Sequence, residues 1–259
     1  MPRIKFGPAG LGTVKEAISN LEKYKSFGLE ACEIAFTYGV YIKNKKDAEE
    51  IGKAAEKLGI ELSIHAQYWI NLNSKEREKV EKSKQRILEC LKVGTWLKAN
   101  RVVFHPGYYS KNDKIESYEK IKQEIIEIMK EAKEKNYTPK LCPETTGKIN
   151  VFGSVEEIAS LVKQTGCEFC IDFAHILARE KKIDYELIEK SFPQKKWHVH
   201  FSGIEYGEKG EKRHKRTDKD ELKKLLKNLP KDRDIIIINE SPEPVRDSIL
   251  GLKIYKRDT

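Results

Sequence analysis

The sequence predicts an α/β fold, a single (β/α)₈ barrel spanning residues 1–259. Three observations point to it. A short apolar run, a loop and an amphipathic helix follow one another eight times, with no linker or low-complexity insert between units. A length of 259 residues is ordinary for one such barrel. Histidines and acids collect on or just beyond the ends of the apolar runs, the mouth where barrels of this kind build their sites.

The first run, Ile4-Lys5-Phe6, is entered directly from Met1-Pro2-Arg3 without the apolar stretch of a signal peptide. After the loop Gly7-Pro8-Ala9-Gly10, a capping box Thr13-x-x-Glu16 opens a helix. That helix shows Val14, Ala17, Ile18 and Leu21 on one face and stops near Gly28. The second run is Ala31-Cys32-Glu33-Ile34-Ala35, and its helix presents Ile51, Ala54, Ala55 and Leu58 before Gly59. The third run, Leu62 to Ile64, delivers His65 and the loop Gln67-Tyr68-Trp69-Ile70-Asn71. A longer helix with Val80, Ile87, Leu91 and Leu97 follows.

The fourth run, Val102 to Phe104, delivers His105 and then Pro106-Gly107-Tyr108-Tyr109. Tyr118, Ile121, Ile125, Ile128 and Ala132 mark the next helix at helical spacing. The fifth run ends at Glu144, ahead of a second capping box, Ser154-x-x-Glu157, and a helix stop at Gly166. The sixth, around Phe169 and Ile171, ends at Asp172, with His175 returning over the rim from the following loop and a helix around Tyr185 to Ile188. The seventh, Trp197 to Phe201, holds His198 and His200. His198 is assigned to packing, facing away from His200. A long charged loop from Gly203 to Arg216 carries His214, and Leu222, Leu225, Leu226 and Leu229 form a helix face. The eighth run, Ile235 to Asn239, delivers Glu240, and Val245 to Tyr255 makes the last helix.

Composition narrows the function classes. A 39% hydrophobic fraction suffices for a large core, yet no apolar stretch is long enough to span a membrane. Five scattered cysteines argue against a disulfide framework and for a reducing, cytoplasmic setting. Cys167-x-x-Cys170 lacks a second pair and belongs to core packing. A net charge of +9 favours an anionic partner, nucleic acid first. Imidazoles and carboxylates on different strand ends make a mixed nitrogen and oxygen ligand set suited to zinc, manganese or iron. Converging carboxylates would otherwise repel one another and lose hydration, and a cation removes both costs.

The runs of residues around these ends go further. Ser63-Ile64-His65-Ala66-Gln67-Tyr68-Trp69-Ile70-Asn71-Leu72, Phe104-His105-Pro106-Gly107, Pro143-Glu144-Thr145-Thr146 and Ile171-Asp172-Phe173-Ala174-His175 come first. His200-Phe201-Ser202-Gly203, Lys212-Arg213-His214 and Asn239-Glu240-Ser241-Pro242 complete the order. Together, over residues 60 to 242, they resemble the endonuclease IV family of apurinic/apyrimidinic endonucleases, in the xylose isomerase-like barrel superfamily. The resemblance implies a TIM barrel with two or three zinc ions, manganese or iron being alternatives, at the C-terminal ends of the strands. His65 and His105 would hold one ion, with Glu144 as the catalytic bridge to a second held by Asp172, His200 and Glu240. His175 and His214 would hold a third.

One departure stands out. The family has an aspartate ligand two residues before the counterpart of His214, and this chain has Lys212. A protonated lysine offers no lone pair. Either Glu208, Glu211 or Asp218 substitutes, or the protein uses two metals. The resemblance further implies a DNA-repair hydrolase, cutting duplex DNA 5′ to abasic sites with a metal-bound hydroxide. Tyr68, Trp69 and Tyr108 would pack on the DNA, Lys212, Arg213, Lys215 and Arg216 would meet phosphates, and a monomer is expected. The alternative is a one-metal sugar isomerase or epimerase of the same superfamily, using Glu144, Asp172, His200 and Glu240, with Glu33 in its polar pocket. The extra imidazoles His65, His105 and His214 argue for the nuclease. A metal-stabilised DNA-binding protein without catalysis would need a broken ligand set, and Lys212 alone hints at one.

Overall fold

A computed structural model describes residues 3–109 and 113–258, so Met1 and Pro2 at the entry to the first run lie outside the described residues. The alternation of strand and helix is as the periodicity predicts. In chain order come β1 (Ile4–Pro8), α1 (Ala17–Ser26), β2 (Ala31–Ala35), α2 (Lys45–Leu58) and β3 (Glu61–His65). Then follow α3 (Arg77–Leu97), β4 (Arg101–Phe104), α4 (Lys114–Glu134), β5 (Lys140–Pro143) and α5 (Val155–Thr165). The second half has β6 (Ile171–Asp172), α6 (Phe173–Glu180), α7 (Tyr185–Ser191), β7 (Lys196–Phe201) and the pair β8 (Gly203–Gly207) and β9 (Gly210–Lys215). Last are α8 (Lys219–Asn228), β10 (Asp234–Asn239) and α9 (Pro244–Asp258).

Eight of these strands close a parallel barrel. One sheet runs β1-β10-β7-β6 and the other β2-β3-β4-β5. Parallel bridges at Ala9–Glu33 and Glu144–Cys170 join them at both seams. The first seam is tight: a Cβ on Gly7 would lie 1.9 Å from the Ala31 carbonyl oxygen, so only glycine fits there.

The two faces of each strand have different partners. Phe6, Ile34, Leu62, Ile64, Trp197, Val199, Ile235 and Ile237 turn outward and join the core beneath the helices. The alternate positions turn inward. There Val103, Cys142 and Cys170 form a small separate cluster, surrounded by Glu33, Ser63, His198 and His200, all buried. This interior is polar at its centre, an arrangement that demands partners for every group.

Several expectations need correction. The first capping box forms only in half: Glu16 Oε2 accepts the Thr13 amide at 3.1 Å, but the Thr13 hydroxyl donates to that same oxygen at 2.7 Å instead of accepting the Glu16 amide, and the helix starts only at Ala17. Ile18 is 37% exposed, while Ala17, Leu21 and Tyr24 are the buried face. The second box forms in full, with Ser154 Oγ accepting the Glu157 amide and Glu157 accepting the Ser154 amide at 2.9 Å. His175 is not in a loop. Asp172 caps α6 by accepting the His175 amide at 2.7 Å, and this starts the helix at once. The segment from Gly203 to Arg216 is likewise no loop but the antiparallel hairpin β8–β9, turned at Glu208 and Lys209. Among the described residues, no helix is long and apolar enough to cross a membrane.

Candidate metal centre

Glu144 follows β5 and is fully buried at the barrel mouth. Its Oε2 lies 3.1 Å from His65 Nε2, at the end of β3, and 3.3 Å from His105 Nε2, just beyond β4. Its Oε1 lies 3.1 Å from His175 Nδ1 and 3.4 Å from His200 Nδ1. One carboxylate thus meets four imidazoles.

Among the described residues four groups have the reach of metal ligands; one, Cys170 with His198 and His200, lies in the barrel interior, and three gather around Glu144. His65, His105 and Glu144 form one, and Glu144, Asp172, His200 and Glu240 form another, with ligand atoms within 4.8 Å of each other in each. His175, Glu211 and His214 form the third. Of the acids near Lys212, Glu211 is the one that β9 brings to this group, with Oε2 at 3.5 Å from His175 Nε2. Glu208 sits in the hairpin turn, and Asp218 is engaged as the cap of α8. Gly147 makes room for this group, since a Cβ there would come within 2.7 Å of Glu211 Cβ and 2.9 Å of His175 Cδ2.

Hydrogen bonds from the outer nitrogens aim the inner ones. His65 Nδ1 faces the Ala66 carbonyl at 2.8 Å, which can only accept, so Nε2 is the nitrogen presented to Glu144. Ser202 Oγ donates to the Gly203 carbonyl at 3.0 Å and accepts from His214 Nδ1 at 2.5 Å, leaving Nε2 for the Glu211 side. Asp172 divides its oxygens: Oδ1 caps α6, and Oδ2 is buried without a hydrogen bond among the described residues.

Sequence reasoning missed one layer and misread His198. Residues two apart on a strand share a face. His198 and His200 accordingly both reach Glu33, with Nε2 atoms at 3.0 Å from Oε2 and 2.9 Å from Oε1. Ser63 Oγ adds a donor at 2.8 Å. The His-x-His spacing was the signal for this support beneath the mouth.

The charges are arranged to alternate. Burial opposes ionisation of Glu144, yet His105 and His200 hold its carboxyl well below the usual range. Burial likewise opposes charge on His65, but Glu144 lifts it to about 9. Burial raises Asp172 against the pull of His175. Burial raises Glu240 too, but His200 draws it down to about 2. Glu144 Oε1, Asp172 Oδ2, His105 Nε2, His175 Nε2 and His200 Nδ1 are all buried without a hydrogen bond among the described residues. Inward-facing lone pairs left unsatisfied, on nitrogen and oxygen of the kind transition metals take, fit divalent ions.

The mouth opens through a cavity of about 230 Å³ whose lining includes Tyr68, His105, Tyr108, Lys148, Glu211 and His214. Tyr68, Trp69 and Tyr108 stand half exposed around it. Tyr38, unremarked in the sequence but directly after β2, is 82% exposed, with its ring 6.2 Å from those of both Tyr68 and Trp69. Lys212, Arg213, Lys215 and Arg216 are exposed on β9 and just beyond it. Of these, Arg213 pairs with Glu205 at 2.7 Å and Arg216 with Glu243.

Comparison with known proteins adds a family. The profile of a family described as a xylose isomerase-like TIM barrel matches residues 21–255. An uncharacterized protein of Methanocaldococcus jannaschii is 36% identical, covering 96% of each chain. A probable endonuclease 4 of Sulfurihydrogenibium sp. is 30% identical over 50% of this chain and 53% of its own length. Among solved structures, endonuclease IV from Thermus thermophilus aligns with a TM-score of 0.68 at 21% identity, over 99% of this chain and 98% of that one. D-psicose 3-epimerase from Clostridium cellulolyticum aligns with a TM-score of 0.70 at 16% identity, over 98% of each. At these identities the structural likeness speaks to the fold alone.

Proposed function

The chain belongs to the xylose isomerase-like TIM barrel family, and from that premise we propose that it is a metal-dependent endonuclease cutting duplex DNA beside abasic sites. The observation that carries this reading is the number of ligand groups. His65 with His105, and His175 with Glu211 and His214, lie beside the Glu144–Asp172–His200–Glu240 set. A one-metal centre has no use for them. The part-length likeness to a probable endonuclease 4 supports the same reading.

In this proposal His65 and His105, with Glu144, would hold one ion, and Asp172, His200 and Glu240, with the same Glu144, a second. His175, Glu211 and His214 would hold a third. Divalent ions bound there supply Lewis acidity to a phosphodiester and neutralise its charge. The chain's own residues do the rest. Glu144 keeps the cation pockets close through opposite oxygens. His65 holds its outer proton at Nδ1. Tyr68, Trp69 and Tyr108, with Tyr38, offer ring faces to unstacked bases or sugars. Exposed Lys212 and Lys215 add sequence-independent attraction to phosphates.

The test is incision of a duplex carrying one abasic analogue. Cutting should require metal, stop with chelator and return on metal addition. Glu144→Gln should keep the fold and lose more activity than the roughly 10–100-fold typical of outer-shell changes. A second reading, a divalent-metal sugar isomerase or epimerase, is favoured by one observation: Glu144, Asp172, His200 and Glu240 alone suffice to hold one ion. Interconversion of ketoses by the same preparation, without incision, would establish it instead.

A further inference from the structure

The opposite mouth of the barrel holds a second cavity, of about 370 Å³. Lys5, Glu61, Arg101, Lys196 and Asp234, from the starts of five strands, line it together with Arg3. Four cations against two carboxylates leave a surplus of two positive charges. Both acids are already engaged. Glu61 pairs with Lys5 and accepts from Asn100 Nδ2 at 3.0 Å, and Asp234 accepts the Arg3 amide at 3.2 Å. Arg3 is itself held by Glu30 at 2.6 Å.

Arg101 is the group that lacks an explanation. It is only 9% exposed, and its Nε is buried with no hydrogen bond among the described residues. Among the described residues no side chain or carbonyl accepts from its guanidinium. Strand alternation turns it inward: Val103, two residues on, belongs to the interior cluster. Lys196 points the same way, since His198 reaches Glu33 in the interior. A guanidinium whose Nε is buried and unpaired is costly, and its terminal donors, open to the cavity, form with Nε a fixed fork that matches a tetrahedral oxyanion.

We propose that this mouth binds a small dianion of the phosphate class, gripped by the Arg101 guanidinium and neutralised with Lys196. The cavity is large enough for the ion with its waters or for a small monoester. Arg101 lies four residues before His105 along β4, about 13 Å away at strand rise, so the site is separate from the metal centre. The proposal does not depend on the nuclease reading.

The test titrates inorganic phosphate into the metal-loaded protein and follows Arg101 Nε–H and the Lys196 amide by ¹H–¹⁵N NMR. Both should shift and saturate with a dissociation constant of about 1 mM or tighter. Arg101→Gln should weaken binding at least about tenfold, and Lys196→Gln should weaken it less. A parallel titration with glycerol phosphate distinguishes a free ion from a monoester by which binds more tightly. Should Arg101→Gln fold poorly, Arg101→Met gives an independent readout. It removes an unpaired buried charge, so it should melt no lower than the parent in phosphate-free buffer and lose stabilisation by phosphate. Shifts confined to His65, His105 and Tyr108, failure to saturate, or equal binding by the Arg101 variants would overturn the site.

Discussion

A neutral imidazole has one lone pair, and its outer hydrogen bond decides which nitrogen carries it. At His200 the outer nitrogen Nε2 has Glu33 as its charge partner at 2.9 Å, with Glu33 itself hydrogen-bonded to His198 Nε2 at 3.0 Å, and Nδ1 is left facing Glu144 and Glu240, each at 3.4 Å. Although burial opposes it, His200 and His198 hold the Glu33 carboxyl well below the usual range, so it remains an acceptor. Glu33→Gln keeps the shape but can turn a donor toward His200 and free the other tautomer. The folded protein should then bind metal roughly 10–100-fold more weakly, with Glu33→Asp recovering part of the loss. Chelator competition measures this, and unchanged affinity in Glu33→Gln would remove Glu33 from the support of the centre. From the sequence Glu33 entered only as an acid within an apolar run that would suit the polar pocket of the epimerase alternative. Its partners come from strands far apart in the chain, and no local spacing pairs it with His198.

The hairpin shows where element-level reading stopped. Residues 203–216 are rich in charge and glycine, so they looked like loop. Their order comes from pairing with each other and from lying against α6, a tertiary outcome that no helical or strand period announced. The barrel strands, by contrast, were legible because each is a buried apolar run bounded by a helix stop and a polar end. The hairpin's register decides the third ligand group. Glu205 pairs with Arg213, and a bulge before Tyr206 shifts the register so that Glu211 faces inward. Glu211→Gln should therefore cost one bound ion per chain. Lys212→Asp should add none, because Lys212 is exposed and is the residue that the bulge leaves without a partner on β8. Elemental analysis after metal-replete purification reads both, and a gain of metal in Lys212→Asp would show that the hairpin can place position 212 at the centre.

At the scale of the whole molecule, the barrel interior stores charge that a helix-wrapped core cannot hydrate, and the ligand that balances it depends on pH. Without metal, protons do the work. Burial opposes charge on His65, but its contact with Glu144 raises it from 6.5 to about 9. A raised histidine contributes stability that is complete below 6.5 and lost as pH climbs through 9. At 1.36 kcal/mol per unit, this one buried residue accounts for about 3 kcal/mol. The carboxylates work in the opposite sense: Glu240, drawn down to about 2, contributes stability above its unfolded value and loses it only in strong acid. Stripped protein should therefore be most stable between about pH 5 and 6.5 and melt at progressively lower temperature toward pH 9. Metal-loaded protein should behave otherwise, because the ions need the deprotonated nitrogens and bind more tightly as protons leave. The gap in melting temperature between loaded and chelated protein should widen steadily from pH 6 to pH 9. Thermal denaturation across that range, with and without chelator, decides it: a gap that stays constant or narrows would mean that the imidazoles at the mouth do not exchange protons for metal.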